Sequence, residues 1–415
     1  MNRPIAHRHA QPVAGMMAIV VYALAAFGAH LSYVPLLTLL LPRRILAIVP
    51  DHAARTTSLV ILAGALTASV AHIAAGRISD GWRARHGNRR APIALGLGLT
   101  VLALAGLGFA RTPVVVGLTL IGFQASLNLM FAPLGALLVD HFPDGAKGRM
   151  AALVNLAMPL AGLGTGVAAL GFPRDGPAPF CALAVVVALS VLPLIALWPF
   201  APCLPTVDAA VPIAEPASPT GGARDLVLVA LARMLMQSGA AFMGTYFYLF
   251  IVRHPWRAGL APGQSIDGVY GWLVLATTIA ALIVTVMAGH WSDRHRRRRA
   301  PMMLGAVSGA VALGMLLTGS GWVLLTGYGL FHVALIVYLA LDTALVAQIL
   351  NHAARPGEVL GYINLANTLP SIAVPALVLG LSGGTTEALW PAGFAATALC
   401  CVMAGTLVGR IRAVV

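Results

Sequence analysis

Three titratable side chains lie deep inside long apolar stretches of the sequence. Asp342 is flanked by leucines and alanines, and His30 and His332 each stand near the middle of a similar stretch. An isolated carboxylate in hydrocarbon is costly, so Asp342 is expected to face the interior of a helical bundle. There it could bind and release a proton, as could either imidazole. Two interpretations stay open for each. One is a functional role, in binding a proton or, for the histidines, a hydroxylated solute. The other is a structural hydrogen bond or ion pair, for which Arg233 is the expected partner of Asp342.

A second group of side chains could bind a polar molecule through hydrogen bonds. Amides and phenols at mid-depth in apolar segments offer donors and acceptors that suit hydroxyl-rich or mixed polar solutes. The candidates are Tyr33, Gln124, Asn128, Asn155, Gln237, Tyr246, Tyr338, Asn364 and Asn367. Tyr33 is followed by Pro35, which can free backbone groups locally. Each candidate could equally hold two helices together.

A short basic pattern occurs twice, about half the chain apart. The first copy covers residues 76–90 and the second covers residues 289–299; each has Gly, then Ser-Asp, then a run of arginines. Both copies stand between two apolar segments, which predicts charged hairpins between membrane helices. Their charges could form contacts in one conformation and break them in another, or could only fix topology. The gating candidates are Gly76, Asp80, Arg89, Arg90, Asp140, Gly289, Asp293 and Arg298. Asp80 is expected to follow its helix, and Asp140 to pair with the arginines of the first hairpin.

The composition places these residues in a membrane protein. Hydrophobic residues make up 59% of the 415 residues and charged residues 9%, against about 25% charged in soluble proteins. Segments of about 20 apolar residues span a bilayer. Twelve are predicted, at 14–41, 58–78, 92–110, 114–139, 150–171, 178–200, 225–252, 269–290, 301–319, 323–349, 359–382 and 387–409.

The twelve segments divide into two related halves. The motif at 155–157 resembles that at 364–366, and the two basic patterns repeat at nearly the same offset. A stretch rich in Pro, Ala and Gly separates the halves and reads as a linker. The predicted fold is an all-α membrane protein with twelve transmembrane helices in two pseudo-symmetric six-helix bundles. Its predicted parts are residues 1–200, a cytoplasmic linker at 201–224, and residues 225–415.

The net charge of +13 is a topology signal, because the basic residues stand at the ends of apolar segments and not in a polar domain. Nucleic-acid binding is therefore not expected. Most lysines and arginines fall on the side that also holds both termini, which predicts that both termini lie in the cytoplasm. No cleavable signal peptide is evident, and a multi-pass protein of the inner membrane is predicted.

Several classes of chemistry lack their motifs in this sequence. There is no phosphate-binding G-x-x-x-x-G-K-[ST] loop, so ATP is not expected to act directly. There is no His/Cys metal cluster and no nucleophile elbow, and the four cysteines have no metal-binding spacing. No cofactor, no metal and no enzymatic activity are expected.

With the duplicated basic loops and twelve segments, the sequence resembles the major facilitator superfamily. The loop at 76–90 and its partner at 289–299 look like that family's signature between helices 2 and 3 and between helices 8 and 9. The loop ending at 87–92, the Asp140 to Pro143 stretch and residues 342–345 are similar to the sucrose/proton symporter and glycoside–pentoside–hexuronide group. The resemblance implies a solute cavity lined by helices 1, 4, 5, 7, 8, 10 and 11, and a monomer.

One departure from that group bears on the coupling ion. Sodium-coupled melibiose-type carriers depend on carboxylates in helix 2, and segment 58–78 contains none. A sodium site built from hard oxygen ligands is therefore not expected, and proton coupling is favoured.

The expected function is proton-coupled transport of a small polar organic solute, with a sugar or glycoside suggested by the subgroup resemblance. Two alternatives stay open. The first is proton-coupled export of a drug-like or secondary metabolite, which suits a cavity with few charges. The second is a sensor or a lipid or pigment carrier on the same fold, although a sensor would usually add a soluble signalling domain.

Overall fold

The computed structural model describes residues 16–142, 150, 153–154, 156–173, 176–200, 223–254, 264–295, 298–318, 321–351, 356–381 and 386–411. Over these residues the chain forms twelve long helices and no strand. The predicted linker at 201–224 lies outside the described residues except for its last two positions, as does Asn155.

The N-terminal half provides α1 (Met16–Ile48), α2 (Ala53–His86), α3 (Arg90–Phe109), α4 (Pro113–His141), α5 (Ala157–Gly171) and α6 (Ala178–Leu197). The C-terminal half provides α7 (Ala223–Arg253), α8 (Ile266–His295), α9 (Arg299–Leu316), α10 (Gly321–Asn351), α11 (Pro356–Leu381) and α12 (Thr386–Gly409). Among the described residues, ten helices are long and apolar enough to span a membrane, and two shorter apolar helices fall in α5 and α11. The predicted all-helical membrane fold is confirmed.

The helices pack with an internal symmetry. In the first half, α1 packs on α5 and α6, α4 packs on α2 and α3, and α3 packs on α6. Raising every number by six gives the main contacts of the second half. Between the halves, α2 packs on α11 and α5 packs on α8, and the same shift exchanges these two contacts. The two six-helix bundles therefore face each other about a pseudo-twofold axis.

The helix assembly has two ends that differ in charge. The arginine-rich end holds the α2–α3 and α8–α9 loops, and the opposite end holds the α1–α2 and α7–α8 loops. Helices α1 and α7 run from the arginine-rich end to the opposite end, whereas α2 and α8 return.

Helix α1 is irregular beyond Pro35. A five-residue π-helical turn, Leu36–Leu40, follows the proline and closes with a bond from the Leu41 N–H to the Leu36 carbonyl. Proline removes one helical hydrogen bond, and a wider turn is a common local adjustment. The helix then continues to Ile48, past the predicted end at 41, so Arg43 and Arg44 lie on it.

Helix α2 extends eight residues past its predicted end at 78 and stops at His86. Basic residues in its last turn interact favourably with the negative end of the helix dipole. Gly87 then ends the helix in the left-handed conformation, at φ 70°. The prediction that Asp80 follows the helix is therefore wrong: Asp80 lies within the helix, before its last turn.

Candidate functional site

A buried ion pair joins α7 to α10 inside the second bundle. The Arg233 Nη1 donates to Asp342 Oδ2 at 2.5 Å, and the two side chains are 12% and 1% exposed. Neither residue lies near an end of its helix. Of the two interpretations left open for Asp342, the structural one required Arg233 as its partner, and the two side chains do form an ion pair. Proton binding by Asp342 stays a prediction.

Helix α11 completes a polar cluster around the arginine. Asn367 Oδ1 accepts from Arg233 Nε at 2.8 Å and from Gln237 Nε2 at 3.3 Å. Two further polar atoms on α10, Asp342 Oδ1 and the Tyr338 hydroxyl, are buried without a hydrogen-bond partner in the part of the chain that is described. Because positions 338 and 342 are one turn apart, both point to the same side of α10. Four candidate site residues predicted from the sequence, and the predicted partner Arg233, are thus brought together here.

In the first bundle, His30 belongs to an aromatic cluster. Its Nδ1 bonds to the Ala26 carbonyl at 2.8 Å, so this nitrogen is the donor and a neutral ring presents Nε2 as an acceptor. The ring meets Phe131 of α4 edge-on at 5.2 Å and lies 5.7 Å from Tyr33. His30 and Tyr33 therefore bring an imidazole Nε2 and a phenol hydroxyl to one aromatic cluster.

Helix α4 contributes a second polar group to the first bundle. Gln124 and Asn128 are each 8% exposed, and Asn128 Nδ2 donates to the Gln124 carbonyl at 2.8 Å. Asn128 Oδ1 lies 3.0 Å from His72 Nδ1 of α2. His72 is not among the candidates predicted from the sequence, and this contact links it to one of the solute candidates.

The remaining solute candidates lie elsewhere. Tyr246 is fully buried and its hydroxyl lies 2.6 Å from Ser58 Oγ, across the contact between the bundles. His332 Nε2 lies 3.4 Å from Thr278 Oγ1 of α8. Asn364 is on α11 but its side chain is outside the described part, as is the whole of Asn155.

The first basic pattern forms a compact ion cluster at the arginine-rich end. Arg89 donates to Asp140 Oδ2, to Asp80 Oδ1 and to Ser79 Oγ at 2.7, 2.7 and 2.8 Å. Arg83 Nη1 adds a contact of 3.1 Å to Asp140 Oδ1. Burial opposes the charge on Arg89, but its hydrogen bonds to the two carboxylates outweigh burial and raise its pKa. Helices α2, α3 and α4 are thereby tied together.

Asp80 and Asp140 differ in their surroundings. The Asp140 side chain is 7% exposed, whereas that of Asp80 is 70% exposed. Asp140 is therefore fixed within its bundle, and Asp80 presents a carboxylate to the outside.

The second basic pattern, like the first, spans the end of one helix and the start of the next. Gly289 stands near the end of α8, and Arg298 immediately precedes α9. A Cβ at Gly76 or Gly289 would meet nothing within 4 Å, so neither glycine is required here by close packing. Arg90 is exposed and opens α3, and the side chain of Asp293 lies outside the described part.

Sequence reasoning missed an ion pair at the opposite end. Arg43 Nη2 of α1 lies 3.0 Å from Asp267 Oδ2 of α8, and Tyr248 of α7 donates to Asp267 Oδ1 at 2.7 Å. Arg43 also reaches the Phe172 carbonyl at 3.3 Å. One sequence signal for this pair was available. Arg43 and Asp267 each lie just outside a predicted apolar segment, at 14–41 and 269–290, and at the same predicted side of the membrane.

No family model matches the chain, and no curated protein matches it. Solved structures do: a peptide transporter POT in complex with sulfate shares 12% identity over 94% of this chain and 93% of that chain, with a TM-score of 0.68. The nucleoside transporter NupG shares 11% identity over 94% and 98%, with a TM-score of 0.66. A bacterial homolog to the human lysosomal transporter Spinster, inward-facing and unoccupied, shares 13% over 95% and 95%, with a TM-score of 0.60.

These neighbours are transporters of the major facilitator type. The chain aligns with each of them over at least 94% of its length. It therefore has the major facilitator fold, which in these structures is the architecture of transporters and not of enzymes.

Proposed function

We propose that this protein is a proton-coupled secondary transporter that moves a small polar organic solute across the inner membrane by alternating access. The observation that carries the proposal is the buried Arg233–Asp342 pair, which places a carboxylate inside a membrane bundle beside amides and a phenol. Ionisable residues within membrane helices are costly and usually mark a solute or proton pathway. The shared fold supports transport as the general activity.

Alternating access is supported by where the bundles touch. The described contacts across the bundle interface include Arg43–Asp267, Ser58–Tyr246 and the Tyr270 hydroxyl to the Thr38 carbonyl at 3.4 Å. All three lie toward the opposite end. The ion cluster at the arginine-rich end instead joins helices of one bundle. This arrangement suits a state closed at the opposite end, from which the bundles rock to the alternative state.

The arginine-rich end carries the gating residues of the proposal. Arg89 and Asp140 hold α2, α3 and α4 as a rigid unit, and the exposed Asp80 carboxylate can meet the other bundle when that end closes. The rest of this proposed gate consists of the other residues of the two basic patterns: Gly76, Arg90, Gly289, Asp293 and Arg298. The excess of basic residues at this end supports placing it, with both termini, in the cytoplasm.

The solute proposal begins from the resemblance to sugar and glycoside carriers. Side-chain amides can both donate hydrogen bonds to sugar hydroxyl groups and accept them, and four are proposed to do so: Gln124, Asn128, Gln237 and Asn367. The proposed transporter works as a monomer of two units, 1–200 and 225–415, joined by the linker at 201–224. A second candidate is proton-coupled export of a drug-like or secondary metabolite, which the edge-to-face aromatic cluster of His30, Tyr33 and Phe131 favours.

The test has two steps. Thermal stabilisation of the purified protein by sugars, glycosides and amphipathic drugs, at two pH values, identifies a ligand by mass action. Proteoliposomes then measure accumulation of that ligand under an imposed pH gradient. Wild type should accumulate it, and Asp342→Asn should exchange it without accumulation. Full accumulation by the variant would remove Asp342 from the coupling step, and indifference of wild type to the gradient would overturn proton coupling.

A further inference from the structure

The charge balance around Arg233 restricts what the solute can be. Its guanidinium faces one carboxylate, Asp342, and one amide oxygen, that of Asn367. Arginine keeps its proton in proteins, so this charge is permanent. Among the described groups, the charge that acts on the Asp342 carboxyl is that of Arg233, while Tyr338 and Cys401 are the neutral titratable groups nearby.

Protonation of Asp342 would leave the arginine without a counter-charge. The Arg233 side chain is 12% exposed, and breaking a buried pair by neutralising one partner is strongly unfavourable. With a proton alone the site carries one positive charge, and with an anion alone it carries one negative charge. With both, or with neither, it is neutral. The bundles can rock at low electrostatic cost in these two neutral states.

We infer that Arg233 binds a carboxylate group of the solute when Asp342 takes up its proton, so that the transported solute is an organic acid in its anionic form. This inference rests on the proposed proton-coupled transport and names the substrate class for that same site. A guanidinium binds a carboxylate through two parallel hydrogen bonds, which a sugar hydroxyl cannot reproduce. Asn367 orients the guanidinium through Nε and leaves its terminal nitrogens for Asp342 or the solute.

The other polar atoms of the cluster could also bind the solute when Arg233 changes partner from Asp342 to a solute carboxylate. Asp342 Oδ1 and the Tyr338 hydroxyl are buried and have no hydrogen-bond partner among the described residues. A proton on Oδ1 turns that oxygen into a donor on the side of α10 where Tyr338 stands. Asn367 uses its oxygen for both bonds in the cluster, so its NH2 group remains a donor for a hydroxyl of the solute. A hydroxylated carboxylic acid fits this donor set.

Matched probe pairs test the inference on the wild-type protein. The pairs are D-glucuronate with D-glucose and benzoate with benzyl alcohol, measured by thermal stabilisation at a mildly acidic and a mildly basic pH. The carboxylate of at least one pair should bind roughly tenfold more tightly than its neutral partner, about 1.4 kcal/mol. Its advantage should grow as the pH falls, because protonated Asp342 releases Arg233. Equal binding within both pairs at both pH values would overturn the inference.

Variants supply a test that needs no knowledge of the natural solute. Asp342→Asn leaves Arg233 uncompensated, so acetate should raise its melting temperature more than it raises that of wild type, and acetamide should not. The double variant Arg233→Gln with Asp342→Asn has no buried charge and is the matched control, which also serves if the single variant fails to fold. It should lose every carboxylate preference. A preference that persists in the double variant, or no acetate effect in a folded Asp342→Asn protein, contradicts the assignment.

The two proposals can fail separately. If proteoliposomes accumulate D-glucose with protons while glucuronate and benzoate have no effect, proton-coupled transport stands and the carboxylate assignment is overturned. If carboxylates bind in an Arg233-dependent way but no pH gradient drives their accumulation, the binding site stands and the coupling fails. For a monocarboxylate, accumulation should follow the pH gradient and not the membrane potential, since the loaded and empty sites carry the same net charge.

Discussion

Arg43 and Asp267 form an ion pair of 3.0 Å between the two bundles, and their side chains are only 4% and 9% exposed. Arg43 comes from α1, just beyond its π-helical turn, and Asp267 comes from the first turn of α8. Because the pair is buried and crosses the interface, it stabilises the state in which the opposite end is closed. Any motion that opens this end must separate the two charges.

Neutralising this pair should open the opposite end. Asp267→Asn leaves Arg43 buried without its charge partner, which costs about 3–5 kcal/mol in the closed state. The equilibrium should therefore shift toward the open state. Spin labels placed on α1 and α8 where both helices reach the opposite end of the protein should be farther apart in the variant, as measured by pulsed electron paramagnetic resonance.

Arg44 is the matched control for that shift. It neighbours Arg43 on α1, but its Nε donates to the Ala110 carbonyl at 2.8 Å, within the first bundle. Arg44→Gln should lower the melting temperature without lengthening the label distance. An unchanged distance in Asp267→Asn would show that the ion pair does not hold this end closed.

Close backbone packing between α5 and α8 gives a second prediction. A Cβ at Gly166 would stand 2.9 Å from the Gly271 carbonyl and 2.5 Å from Leu275 Cγ. Gly166→Ala should force the bundles apart at this contact and slow transport about tenfold, if about 1.4 kcal/mol is added to the rate-limiting step. Gly171→Ala, on the same helix, meets nothing within 4 Å and should transport at the wild-type rate. Equal rates for both variants would exclude a role for this contact.

The sequence predicted the fold because twelve apolar segments and a repeated loop are local features. It also named Arg233 as the alternative partner for Asp342, since few charges lie within the apolar segments and a buried one needs a partner. Pro35 predicted a local irregularity, which is the π-helical turn that follows it. These inferences needed only the composition of the segments, the internal repeat and the positions of the charges and of one proline, and no knowledge of how the helices pack.

The contacts across the bundle interface could not be predicted in this way. Ser58 with Tyr246 and Arg43 with Asp267 are each about half the chain apart, and nothing in one sequence pairs them. The end of α2 was placed too early for a different reason. Five of the eight residues at 79–86 are polar or charged, so an apolar window stops before them. Basic residues nevertheless continue the helix to His86, and Gly87 ends it.

The two aspartates that contact Arg89 should differ in their effects on stability. Asp140 is 7% exposed and accepts from both Arg89 and Arg83, so Asp140→Asn should lower the free energy of unfolding by about 3 kcal/mol. Asp80 is 70% exposed, and Asp80→Asn should lower it by about 1 kcal/mol or less. Asp80→Asn should instead slow turnover with little change in solute affinity. A purely affinity-based defect in Asp80→Asn would argue against gating.

Transport should not depend on sodium. The apolar part of α2, up to Ser79, contains no carboxylate, and the Asp80 carboxylate beyond it is paired with Arg89. The described residues also contain no group of three or more His, Cys, Asp or Glu side chains that could hold a metal ion. Replacing sodium by potassium in proteoliposomes should therefore leave the initial rate unchanged, whereas collapsing the pH gradient should abolish accumulation. An imposed sodium gradient without a pH gradient is the control and should drive nothing; accumulation under it would assign the coupling to sodium and remove Asp342 as the proton carrier.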